Sequence, residues 1–81
     1  MMVIVQELWP DSKAPGRWRE IGRANDIEGA ERIARRHYNP RSFGGFRHPD
    51  GGPKYGTIRA ILEEGEGERK ILVYDGNGYF V

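Results

Sequence analysis

Asp26 to Tyr38, DIEGAERIARRHY, is the stretch whose reading decides the fold. Ile27, Ala30, Ile33, Ala34 and Tyr38 recur at spacings of three and four, so a helix puts them on one stripe, with Glu28, Glu31, Arg32, Arg35 and Arg36 around the rest. A single apolar stripe calls for a single partner surface. Asn25 or Asp26 offers an oxygen to the unpaired amides of the first turn, and Asn25 with Glu28 has the spacing of a capping box. Glu28 with Arg32 and Glu31 with Arg35 stand at i,i+4, acid first, the stabilising order. Cations gather in the last turn, where the helix dipole favours them, and Asn39-Pro40 stops the helix.

Working outward, Met2 to Trp9 is rich in β-branched residues and reads as a strand ending at Pro10. The consecutive Val3, Ile4 and Val5 suit a strand covered in part on both faces. Asp11 to Gly16, DSKAPG, is turn chemistry, and Arg17 to Ala24 follows as a second strand, making a hairpin. After the helix, Asn39 to Pro53, NPRSFGGFRHPDGGP, holds two Gly-Gly pairs and three prolines, which excludes regular structure for most of its length.

Tyr55 to Leu62 is a third strand, with Ile58, Ala60 and Leu62 on one face and Thr57, Arg59 and Ile61 on the other. A glycine-rich acidic turn, Glu63 to Glu68, leads into a fourth strand, Arg69 to Tyr74. Ile71 and Val73 lie on one side of it, Leu72 and Tyr74 on the other. The turn DGNG at 75–78 returns the chain as a short fifth strand, Tyr79 to Val81. The expected fold is α+β, a two-layer sandwich of about five antiparallel strands on one helix, in the order β-β-α-β-β-β. The sheet face away from the helix should then meet solvent.

At 81 residues the chain has room for one domain, which buries only about 60% of its unfolded surface. A net charge of +1 excludes both a polyacidic mimic of DNA and a histone-like polycation. The charge is unevenly spread, however. Residues 13–48 are basic and residues 49–81 acidic. There is no cysteine, so disulfides and thiolate metal sites are excluded and a reducing compartment fits. The opening MMVIVQELWPD turns acidic too early for a signal peptide, and no apolar run approaches a membrane span, so the cytoplasm is the expected location.

The richest candidate surface for a partner is Arg35, Arg36, Arg41, Phe43, Phe46, Arg47, His48 and Lys54, cations interleaved with rings and glycines. Such a surface suits a phosphate backbone with some base stacking, or an acidic protein face. Its structural alternative is a solvated helix face running into a loop whose Phe43 or Phe46 completes the core. A second candidate is Arg17, Arg19 and Arg23, with Lys13 nearby. The three arginines share strand parity and should project from one sheet face. The acidic turn Glu63 to Glu68 is a third, or simply a solubilising hairpin tip.

His37, His48 and Asp50 match no compact metal spacing. Neither Ser12 nor Ser42 sits in a nucleophile elbow, and the Gly-Gly pairs lack the strand, turn, helix and Lys of a phosphate loop. The expected mode is binding without catalysis, cofactor or metal.

VIVQEL at 3–8, EGAERIARRH at 28–37, TIRAIL at 57–62 and KILVYDGNGYFV at 70–81 resemble, in order and length, a group of small phage-encoded anti-CRISPR proteins of the type I-F kind. They correspond to that group's first strand, its helix and its last three strands, over about two-thirds of the chain. The resemblance implies a five-stranded antiparallel sheet with one helix. It implies an inhibitor in the host cytoplasm that binds a CRISPR guide-RNA surveillance complex and blocks target-DNA engagement. The loop from Asn39 to Pro53 is longer and more basic than the group's pattern. The alternative is a small nucleic-acid-binding protein using the basic aromatic loop 35–54, with DNA or RNA as partner. A monomer or weak dimer is expected in either case.

Overall fold

The computed structural model describes residues 1–11 and 16–81. The described chain forms one antiparallel four-stranded sheet and one α-helix, so the α+β class holds. The strands are β1 (Met2–Trp9), β2 (Arg17–Ala24), β3 (Ile58–Glu64) and β4 (Glu68–Val73), and the helix α1 spans Ile27–His37. Their order across the sheet is β2-β1-β3-β4, with every neighbour antiparallel. β1 is interior, which accounts for its run of apolar residues. Val3 and Val5 are fully buried beneath the helix while Ile4 is half-buried on the other face.

β1 and β2 form the expected hairpin, from Trp9 opposite Arg17 to Val3 opposite Ala24. Most of the turn expected between them, Ser12, Lys13, Ala14 and Pro15, lies outside the described residues. The register shifts inside this pair. Val5 faces Gly22 and Gln6 faces Glu20, so Ile21 is passed over as a β-bulge. The alternation inverts there, and the expectation that Arg17, Arg19 and Arg23 share a face fails. Arg19 lies on the helix side, stacked over the Trp9 ring at 4.3 Å. Arg23 lies on the opposite face, beside Ile4 and within 3.6 Å of the Met2 sulfur.

α1 packs the expected stripe. Ala30 and Ala34 are fully buried, and Ile27, Ile33 and Tyr38 pack at the margin of the same core. The N-cap is Asp26, whose Oδ1 accepts the Gly29 amide at 2.7 Å. Three residues beyond that cap stands a glycine, so no capping box closes. Glu28 instead pairs with Arg32 at 3.1 Å, as expected. The second expected pair does not form, because Glu31 is buried and its Oε2 accepts the Phe80 amide at 3.2 Å.

The fifth strand is corrected to a single bridge between Tyr74 and Phe80, and the order becomes β-β-α-β-β. Asp75 winds the turn before it, its Oδ1 accepting the amides of Asn77 at 2.7 Å and Tyr79 at 3.1 Å. Val73 and Val81 still exchange two backbone bonds, of 3.0 and 2.9 Å. Phe80 enters the core edge-on to Tyr74 at 5.6 Å, and Tyr74 meets Tyr38 at 5.2 Å, contacts worth about 0.5–1.5 kcal/mol each beyond area burial. β3 begins three residues later than expected, since Tyr55 and Gly56 form a turn. Gly56 has φ +89°, and a Cβ there would lie 2.7 Å from the Ser42 side chain. No helix among the described residues is long and apolar enough to cross a membrane.

Candidate binding surface

The loop between α1 and β3 is pinned at several points. Asn39 Oδ1 accepts the Arg41 amide at 2.9 Å, which starts a short 3-10 turn at Ser42–Gly45. Phe43 holds φ +53° within it, a left-handed conformation that costs about 1–2 kcal/mol outside glycine. Its ring offsets this by packing edge-on to Trp9 at 5.5 Å and near Tyr55 at 6.4 Å. Trp9 is fixed in turn by its Nε1 donating to buried Glu7 at 2.7 Å and by the Arg19 guanidinium over its ring. Phe43 and Arg19, both expected to meet a partner, are therefore parts of an aromatic wall that seals one end of the sheet.

Beyond Phe43 the loop closes on itself. Arg47 and Lys54 form an antiparallel bridge, flanked by the Tyr55 amide donating to the Phe46 carbonyl at 2.8 Å. At the tip of this arm the Gly51 amide donates to the His48 carbonyl, and the Asp50 amide donates to His48 Nδ1 at 3.1 Å. His48 is spent on holding this turn. Phe46 is 71% exposed and lies against Gly44, where a Cβ would come within 2.9 Å of its ring. It is the one ring of the expected set that faces solvent freely.

The bridged arm reaches the sheet face that α1 leaves uncovered. There the register aligns Ile4, Ile61 and Ile71 in one row and Gln6, Arg59 and Val73 in the next. The Arg59 guanidinium carbon lies over the Trp18 ring, 3.9 Å from its centroid, and its Nε donates to Gln6 Oε1 at 2.8 Å. Burial without a carboxylate partner pushes its guanidinium below its ordinary value. Trp18, Arg59, Ile71 and Val73 form the floor and one wall of an open groove of about 500 Å³, with Arg47, Lys54, Pro53 and Thr57 forming the rest. Ile71 is 56% exposed and Val73 44%. Arg47 and Lys54 belong to the expected surface, whereas Trp18, Arg59, Ile71 and Val73 were missed. Strand parity put Arg59, Ile71 and Val73 on definite faces, but only the register joins them to Trp18.

The remaining expected residues spread around the same end of the molecule. Arg35 and Arg36 are exposed on the last turn of α1, with Arg35 beside Gly78 of the terminal turn, and Arg41 is exposed on the loop. Arg17 and Arg19 lie at the start of β2, at this end too. Arg23 lies at the other end, paired with Glu20 at 3.0 Å, and that carboxylate holds the guanidinium above its ordinary value. The β3–β4 turn, with Glu63, Glu64, Glu66 and Glu68, is also at the far end. These four glutamates share their end with Arg23, Arg69 and Lys70, and Arg69 lies 3.6 Å from Glu63. Among the described residues, no group of three His, Cys, Asp or Glu side chains could hold a metal ion.

No family model, curated protein or solved structure matches this chain.

Proposed function

We propose that this chain is a non-catalytic binding protein that engages a nucleic-acid-bearing partner through its cationic end. A CRISPR guide-RNA surveillance complex, bound so that target DNA is kept out in the manner of small anti-CRISPR proteins, is the first partner to test. DNA or RNA bound directly is the alternative, and the apolar floor of the cationic groove favours it.

One observation carries the proposal. Arg35, Arg36, Arg41, Arg47, Lys54 and Arg59 stand at one end of the molecule with no carboxylate in ion-pair range among the described residues, while Glu63, Glu64, Glu66 and Glu68 stand at the other. Unpaired cations raise the free energy of the isolated protein by mutual repulsion, and a polyanion relieves this while releasing its own counterions.

The test is a titration of fluorescent single-stranded and duplex DNA at two salt concentrations, beside co-purification with a guide-RNA complex. Binding in the micromolar range or tighter, weakened by salt and by Arg41→Ala with Arg47→Ala, supports the nucleic-acid arm. Co-purification without oligonucleotide binding supports the inhibitor arm. Failure of both rejects the proposal.

A further inference from the structure

The open groove combines two properties that a duplex would not use together. Its polar lining is cationic, with Arg47, Lys54 and Arg59 and no carboxylate, and its floor is apolar and solvent-facing at Ile71 and Val73. A duplex presents phosphates while keeping its bases stacked inside, so it satisfies the cations and leaves the floor wet. A peptide carries its acidic and apolar groups on separate residues, so it must place several side chains at once to meet both. An unpaired nucleotide brings a phosphate and a planar apolar face in one unit.

The wall that would meet it is already set. Arg59 is clamped between the Trp18 ring and Gln6, so its orientation is fixed before any ligand arrives. Its burial has no ion pair to compensate it. A cation held this way gains more from an incoming anion than one on a free surface chain. Arg47 and Lys54 are likewise held opposite one another by their backbone bridge. The volume, about 500 Å³, lies within the range of small-ligand sites.

We propose that this groove seats an unpaired nucleotide of single-stranded nucleic acid, its phosphates at Arg47, Lys54 and Arg59 and its base on the Ile71 and Val73 floor. This rests on the nucleic-acid arm of the proposed function and gives that arm a location and a preference for single strands.

The experiment compares a fluorescein-labelled oligothymidylate, a hairpin duplex and polyglutamate as probes of the wild type, Ile71→Glu and Lys54→Gln. The expected result is tighter binding of the oligothymidylate than of the duplex. Ile71→Glu, which sets a carboxylate on the exposed floor, should weaken oligothymidylate binding by at least about tenfold. Lys54→Gln should flatten the dependence of log K on log salt by about 0.7, the share of one phosphate on a single strand. Lys54 is an exposed loop cation, so this second variant tests the groove even where Ile71→Glu disturbs folding.

Equal binding of duplex and single strand overturns the inference. So does oligothymidylate binding that ignores both substitutions yet disappears in Arg36→Ala with Arg41→Ala, and in that case nucleic-acid binding itself stands. Binding of polyglutamate in place of the oligonucleotide overturns the nucleotide as occupant and leaves only the inhibitor arm to be tested by co-purification.

Discussion

Asp75 winds the turn that follows β4, because a carboxylate oxygen that collects two backbone amides holds the chain more tightly than a strand permits. The same bonds hold its carboxyl below the ordinary value of 3.8. A group lowered in the folded state stabilises it above the unfolded value, and that contribution is lost as pH falls through the lowered one. Asp75→Asn keeps the acceptor and removes the charge. The wild type should therefore be more stable than the variant at neutral pH, and the gap should close below pH 3.8, as read from urea midpoints across the acid range. Single residues also mark the limit of local reading. Asp26 caps α1 where its type and place announce a helix start. Glu31, at the right spacing for Arg35, turns inward to Phe80, a partner 49 positions away that helical spacing cannot name.

Elements meet here through small residues. β2 approaches α1 so closely that a Cβ at Gly22 would lie 3.0 Å from Ile33 Cδ1 and 3.1 Å from its Cγ2. The β-branch leaves Ile33 few rotamers in a helix, so it yields poorly. Overpacking of this kind costs about 1–3 kcal/mol, against about 0.4–1 kcal/mol gained by restricting the unfolded chain. Gly22→Ala should thus destabilise by about 1 kcal/mol, measured by urea unfolding. In an Ile33→Ala background the same substitution should be neutral or stabilising, which identifies the contact as the cause. β1 and β4 are legible in the sequence as apolar, β-branched runs, and the strand period of β3 is legible because it alternates without interruption through Ile58, Ala60 and Leu62. That of β2 is not. An alternating pattern assumes an unbroken ladder, and the bulge at Ile21 moves Arg23 to the other face at no visible cost in composition.

For the whole molecule the property that matters is the separation of charge. β3 has seven residues, so at about 3.3 Å per residue the glutamate tip stands about 20 Å from the cationic end. That exceeds the screening length of about 8 Å at physiological ionic strength. Glu66→Lys with Glu68→Lys should therefore change the affinity for an anionic partner by less than about twofold at physiological salt, and raise the association rate at low salt. Stopped-flow fluorescence at two ionic strengths checks both. A large affinity gain at physiological salt would mean that the tip itself touches the partner.

The sequence by itself determined the single helix and its buried stripe, the two strands before it and the core strands after it, and the presence of a basic middle and an acidic tail. Each of these is local, set by side-chain periodicity and by caps and turns within a few residues. Only the tertiary structure decided that Phe43 and Arg19 seal the end of the sheet, that Glu31 holds the chain's last turn, and that Trp18, Arg59, Ile71 and Val73 join Arg47 and Lys54 around one groove. Those residues come from three strands and a loop. What brings them together is the strand register, and register is set by the whole core packing at once rather than by any segment of the chain.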